Sequence, residues 1–400
     1  MRPPAREHFP HLDAFRAFGA TAVVATHVAF QTGRTVAGPF SGWLARLDFG
    51  VAVFFVISGF LLARPYLEVR AAGRPAPSTR RYLWRRAVRV LPAYWVVVVA
   101  CLAFLPASGG GSPADWARYL TLTQIYGVGE QKQGLTQTWS LATEAAFYLV
   151  LPVLVLPALR LSGSAWRPGR LAALLGGGGL AVTVVWSTVV HVDPSNAVRV
   201  HEQWLPGFLS WFGLGIALAV AHVHLRRDPG ARRWRVLDGL ADQPWTCWVI
   251  ATGIFAVATT PLAGPRGFEG FASAGSALFK NLAYLAAAGF LLLPAMFGRR
   301  TGAARAVLAS RPLQYLGRVS YGIFLWHLLV LEIVVAAGHL PLFQGSFLVV
   351  FAVTWPVSVA LAALSWHLLE QPLLRHRRRG PGVAAPAPTP EPAPRDTAAV

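Results

Sequence analysis

Ten apolar runs, each near the twenty or so residues needed to cross roughly 30 Å of hydrocarbon, constrain this chain more than any other feature. They cover about 12–30, 48–67, 90–106, 138–159, 171–190, 205–223, 244–263, 276–297, 318–337 and 345–368. A backbone in lipid has to satisfy its own N–H and C=O groups, so runs of this length predict helices. The expected fold is an all-α integral membrane protein, a bundle of about ten transmembrane helices in a cell membrane. Composition agrees, with 54% hydrophobic against 13% charged residues.

The net charge of +19 raises the question of a nucleic-acid partner, and the placement of the charge answers it. Of 36 basic residues, 29 fall on one side of the alternating topology and 7 on the other. That asymmetry puts both termini in the cytoplasm. No basic, aromatic-interleaved platform and no DNA-reading motif is present, which argues against nucleic acid. Cys101 and Cys247 both lie inside apolar runs, so neither a disulfide framework nor a zinc cluster is available, and no metal is expected. Asp13, Arg16 and His27 interrupt the first run, which argues against a cleavable leader. Residues 1–375 read as one membrane domain, and 376–400 as a disordered Pro/Ala-rich cytoplasmic tail with no appended soluble domain. The loop 107–137 is expected to hold a short interfacial helix around Trp116 to Ile125.

Ionisable side chains inside a bilayer are costly and usually face a bundle interior or a watery cavity. Arg16 and His27 are eleven residues apart, about 20° from alignment on one helix face and about 16 Å apart along the axis. Asp13 falls near the same stripe. One helix thus carries a cation at its inner end and an imidazole at its outer end; the plainer reading is a snorkelling Arg and a hydrogen-bonded His. Glu144, a turn or two into the fourth run after Trp139 and Ser140, is expected at the depth of His27, where it could orient the imidazole or pair with an Arg. Arg86 and Arg89 stack guanidinium forks suited to phosphate, beside arginines that serve topology. Ser58 offers a small surface for close approach, and Ser320, Tyr321 and His327 add polar groups to the ninth run, the plainer reading of His327 being a hydrogen-bonded packing residue. Glu370 reads as a structural partner for an Arg. His222 and His224 lack further ligands for a metal, and Gly176 to Gly179 lack the Lys of a phosphate loop.

These stretches, from His11–Arg16 and His27 through Phe54–Leu62, Arg85–Trp95, Thr138–Tyr148 and Ser320–His327 to Trp366–Pro372, resemble the membrane-bound acyltransferase-3 family of multi-pass O-acyltransferases. The Arg-ten-residues-His signature is met by Arg16 and His27, Arg-x-x-Arg by Arg86 and Arg89, and Trp-Ser-Leu-x-x-Glu by Trp139, Ser140, Leu141 and Glu144. The chain departs from the pattern at Ala145 and Ala52, where members often carry acids. The resemblance implies transfer of an acyl group, acetyl in the first instance, from cytoplasmic acyl-CoA to a hydroxyl of a carbohydrate or glycosylated small molecule. His27 and Glu144 would be catalytic, and Arg16, Arg86 and Arg89 would hold the acyl-CoA phosphates. Asp13, Ser58, Trp139, Ser140, Ser320, Tyr321 and His327 would line the substrate path. The rival reading is a glycolipid or polysaccharide transporter or flippase without acyl transfer.

Overall fold

The computed structural model describes residues 9–127, 131–163, 165–192, 200–266, 273–298 and 302–376; the Pro/Ala-rich segment from 377 onward lies outside them. Among the described residues the chain is helical with no strand. The ten apolar runs become α1 (Pro10–Gln31), α2 (Gly50–Ala71), α3 (Thr79–Val99), α4 (Thr138–Leu161), α5 (Gly178–Val192), α6 (Leu209–Arg227), α7 (Pro244–Ala258), α8 (Ala274–Met296), α9 (Arg311–Ala337) and α10 (Phe347–Ser365). Eight of these, with their flanking turns, are long and apolar enough to cross a membrane. The other two differ for separate reasons. α7 has only 15 residues, and α1 has the length but is diluted by Asp13, Arg16 and His27.

Apolar side chains such as Leu149 and Val153 on α4, Val185 and Val189 on α5, and Leu348 and Val349 on α10 are exposed around the bundle. In water such a belt would aggregate; in lipid it is the matching surface. Polar side chains turn inward instead, with Arg46, Arg64, His327 and Glu370 all buried.

Close approaches at glycine set the inner geometry. A Cβ on Gly50 would overlap the carbonyl of Gly19, so α1 and α2 cross backbone to backbone there. A Cβ on Gly317 would overlap the backbone of Asp13, which seats α9 against the inner half of α1. These contacts let α1 lie between α2 and α9 with its polar stripe facing both. We expect Gly317→Val to wedge α9 off α1, at a cost of about 1–3 kcal/mol. Thermal unfolding followed by size-exclusion in detergent would show an earlier transition, and no change would contradict the crossing.

The outer loop forms a helix at Pro113–Leu120, somewhat earlier than expected, and a 3-10 turn at Gln124–Tyr126. Ser112 caps the helix. Its hydroxyl and backbone N–H donate to Asp115 at 2.9 and 3.1 Å, and with Lys132 at 3.4 Å these bonds hold the Asp115 carboxyl below the usual carboxylate range. Tyr94 and Trp95 on α3 donate to the carbonyls of Tyr119 and Leu120, tying the loop down on the bundle.

Candidate active site

A cavity of about 110 Å³ opens between α1, α2, α3, α4 and α9. Arg16, Arg86 and Arg89 line it, together with Ser58, Ser140, Glu144, Tyr148 and Tyr321 and an apolar wall that includes Phe54 and Phe324. On α2, Phe54 and Ser58 are less buried than their immediate neighbours because they face this space. Seven of the twelve side chains singled out from the sequence therefore share one chamber: Arg16, Arg86, Arg89, Ser58, Ser140, Glu144 and Tyr321.

The three guanidiniums come from two helices and are held differently. Arg89 Nη1 pairs with Glu370 Oε2 at 2.5 Å, and its guanidinium lies 5.0 Å from the Trp366 ring centroid and 5.8 Å from that of Tyr321. Glu370 and Trp366 are presented by a π-helical turn, Trp366–Glu370, that continues α10; such turns widen the helix and re-aim its side chains. Tyr321 is fixed in turn by donating to the Val90 carbonyl at 2.8 Å. Arg16 has a buried Nε without a hydrogen-bond partner. A buried guanidinium N–H left unpaired among two more guanidiniums is costly, and an oxyanion supplies what is missing.

Glu144 accepts a short hydrogen bond from Ser58 Oγ, and the Tyr148 hydroxyl lies within hydrogen-bonding reach of the same carboxylate. Its depth differs from the sequence expectation. Gln137, just before α4, donates to the Leu325 carbonyl at 3.0 Å, so α4 starts level with the part of α9 that carries His327. Seven residues further along, Glu144 lies about 10 Å deeper. It belongs with Arg86 and Ser58, and the imidazole's orienting group is found elsewhere. Counting depth from the helix start fails here because the outer loop, rather than the bilayer surface, caps α4.

That group is a second histidine. His27 Nδ1 and His327 Nε2 are 3.4 Å apart, with ring centroids at 5.0 Å. Each ring also faces a carbonyl one turn back, His27 Nδ1 to Val23 O at 2.7 Å and His327 Nδ1 to Phe324 O at 2.7 Å. A carbonyl can only accept, so both Nδ1 atoms carry protons. His327 Nε2 is then an acceptor facing the His27 Nδ1–H, and the basic lone pair of His27 is on Nε2. This is the tautomer logic by which a general base is oriented.

Other expected residues sit outside the chamber lining. Asp13 marks the α1–α9 crossing, Ser320 is fully buried and donates to the Gly317 carbonyl, and Trp139 packs at a tilt against Phe208 with ring centroids at 5.3 Å. Sequence reasoning missed Tyr148, Phe54 and Phe324. Tyr148 is one turn from Glu144, Phe54 one turn from Ser58, and Phe324 one turn from both Tyr321 and His327, so helical spacing from the polar residues was the available signal. It also missed an outer cluster in which Asp48 pairs with Lys280 at 2.6 Å and accepts from Tyr284. Nearby, the buried Arg46 donates to the carbonyls of Ala258, Ala263 and Gly264. Among the described residues no group of three His, Cys, Asp or Glu side chains could hold a metal ion.

Comparison with known proteins places this geometry in context. A family model described as an acyltransferase domain matches residues 9–366. The chain is 26% identical to nodulation protein 10 of Rhizobium leguminosarum bv. viciae, over 94% of this chain and 96% of that protein. It is 24% identical to the peptidoglycan O-acetyltransferase OatA of Listeria monocytogenes, over 93% of this chain and 57% of that one. To the putative peptidoglycan O-acetyltransferase YrhL of Bacillus subtilis it is 26% identical, over 92% and 55% respectively. The chain thus spans little more than half the length of the two peptidoglycan relatives. No solved structure matches it.

Proposed function

The chain belongs to this acyltransferase family, and from that premise we propose that it moves an acyl group, acetyl in the first instance, from acyl-CoA to a hydroxyl of a carbohydrate or glycosylated small molecule. The observation that carries the reading is the chamber: three guanidiniums and an unpartnered Arg16 Nε at one level, and a tautomer-fixed imidazole farther along the same helix. The basic segments flanking α3 and α9 favour a plasma-membrane orientation with the guanidinium end toward the cytoplasm, where acyl-CoA is found. The relatives named for peptidoglycan O-acetyl transfer support a saccharide acceptor.

In this reading the phosphates of the donor engage Arg16, Arg86 and Arg89 at the rim. A cavity of about 110 Å³ is smaller than the roughly 300–1,000 Å³ of whole-ligand sites, so it takes the acyl end and its arm while the nucleotide stays outside. His27 Nε2 removes the acceptor hydroxyl's proton as oxygen attacks the thioester carbon. The new C–O bond forms, the C–S bond breaks, and the proton passes to the departing CoA thiolate. The Val23 carbonyl and His327 Nε2 share the His27 Nδ1–H throughout and stabilise the transient imidazolium. The Glu144 carboxylate, fixed by Ser58 and Tyr148, positions the arm below.

The test uses purified protein in nanodiscs with radiolabelled acetyl-CoA and a panel of oligosaccharide and glycoside acceptors. Acceptor-dependent CoA release with label on the acceptor is expected. Turnover should fall with a one-proton slope as pH drops through the titration of the imidazole, because a protonated imidazole cannot act as base. Protein that stays folded but never consumes thioester, while moving a glycolipid across vesicles, would replace the reading with transport.

A further inference from the structure

Two aromatic rings stand in the chamber's apolar wall. Phe54 and Phe324 both line it and meet edge to face, with ring centroids 6.3 Å apart. On its other side the Phe324 ring centroid lies 6.0 Å from that of His327, and the Phe324 carbonyl is the one that fixes the His327 tautomer. The Phe54 ring rests on α1 at Gly19, 3.3 Å from where a Cβ would stand. Gly19 is three residues outward of Arg16 and eight short of His27, so along α1 its Cα stands about 4.5 Å above that of Arg16 and about 12 Å below that of His27, and the Phe54 ring resting on it lies between the two. His27 and His327 are not part of the chamber's lining.

Resting on the acyl-transfer reading above, we propose that Phe54 and Phe324 determine acyl-chain length: with both rings in place only a short acyl group passes from the guanidinium chamber to the imidazole pair. The pair is suited to this by its anchoring. Gly19 leaves no side chain on α1 to push Phe54 aside, and Phe324 is buried and connected through its own backbone to His327. A two-carbon acyl group slips past an edge-to-face pair by a small ring rotation. The arm itself parts the rings for any thioester that reaches His27, and a two-carbon group then fits between the rings and the imidazoles; a long alkyl chain has to fold back on Phe324, whose ring centroid stands 6.0 Å from that of His327, and on Phe54, displacing them further.

The experiment compares acetyl-, butyryl-, hexanoyl- and octanoyl-CoA on the full chain and on Phe54→Ala, Phe324→Ala, Phe54→Leu and Phe324→Leu. The leucine variants keep most of the apolar volume should an alanine variant fail to fold, and Phe104→Ala, an exposed site at the end of α3, serves as control. We expect the wild type to favour acetyl-CoA and the Phe54 and Phe324 variants to raise the octanoyl-to-acetyl ratio of kcat/KM by about tenfold or more, with Phe104→Ala unchanged. Wild type that consumes acetyl-CoA, with folded Phe54 and Phe324 variants that keep its order of chain-length preference, overturns this proposal alone. Wild type that consumes no thioester overturns the acyl-transfer reading and this proposal with it.

Discussion

His27→Ala is expected to lower acyl turnover by roughly 10²–10⁴-fold, the range associated with removing a positioned general base. The substitution should leave the fold intact, because His27 is only half-buried and alanine keeps the helix. KM for the donor should hardly move, since Arg16 lies about 16 Å away along α1 and Arg86 and Arg89 share its chamber, which His27 does not line. His327→Asn should be milder. An amide oxygen at that position still accepts from the His27 Nδ1–H, so activity falls less than with His327→Ala, and the asparagine variant retains the acid limb of the pH profile. Equal losses for the two His327 variants would mean that His327 only fills space. The measurements are initial rates of CoA release across pH, with unfolding temperature recorded for each variant.

Arg16→Ala should have the opposite signature. Its guanidinium shares a confined chamber with those of Arg86 and Arg89, and Glu370 is already engaged by Arg89. Removing one of three clustered cations relieves repulsion and deletes a buried unpaired Nε, so the unfolding temperature should stay or rise. Donor affinity should suffer. Charge-assisted hydrogen bonds worth about 1.5–3 kcal/mol translate to a roughly 10- to 150-fold increase in KM for acetyl-CoA. A short thioester without the nucleotide phosphates should be indifferent to the change. If Arg16→Ala destabilised the protein while leaving KM alone, Arg16 would be structural and the chamber would need another ligand.

Much of this architecture is legible in the sequence because hydrocarbon thickness and backbone hydrogen bonding leave few choices. The ten runs became ten helices, and the polar stripe of α1 followed from 3.6-residue periodicity. Pairing between helices is less legible, since it depends on where backbones cross. Glu144 was placed at the depth of His27 by counting from its helix start, but Gln137 is already level with Leu325 beneath the outer loop. The partnership of His27 and His327 links residues 300 apart and requires α9 to seat on α1 at Gly317 and Asp13. Glu370 reads from the sequence as a partner for an Arg, and the structure supplies which one: Arg89 on α3, met from the π turn that ends α10. Arg46 and Lys280 count in the sequence only among the seven outer-side cations, and the carbonyls around Arg46 and the contacts of Asp48 with Lys280 and Tyr284 became visible only with the helices assembled.

The measurement that bears most directly on the central claim is a cryo-electron microscopy map of the protein in nanodiscs with a thioether analogue of acetyl-CoA that cannot be cleaved. The phosphates should lie against Arg16, Arg86 and Arg89, the arm should run past Ser58 and Glu144, and the acetyl-bearing carbon should sit beyond Phe54 and Phe324 within reach of His27 Nε2. Density for the analogue on another face of the bundle, or an arm that ends among the guanidiniums with His27 and His327 still sealed behind the two rings, would contradict the account.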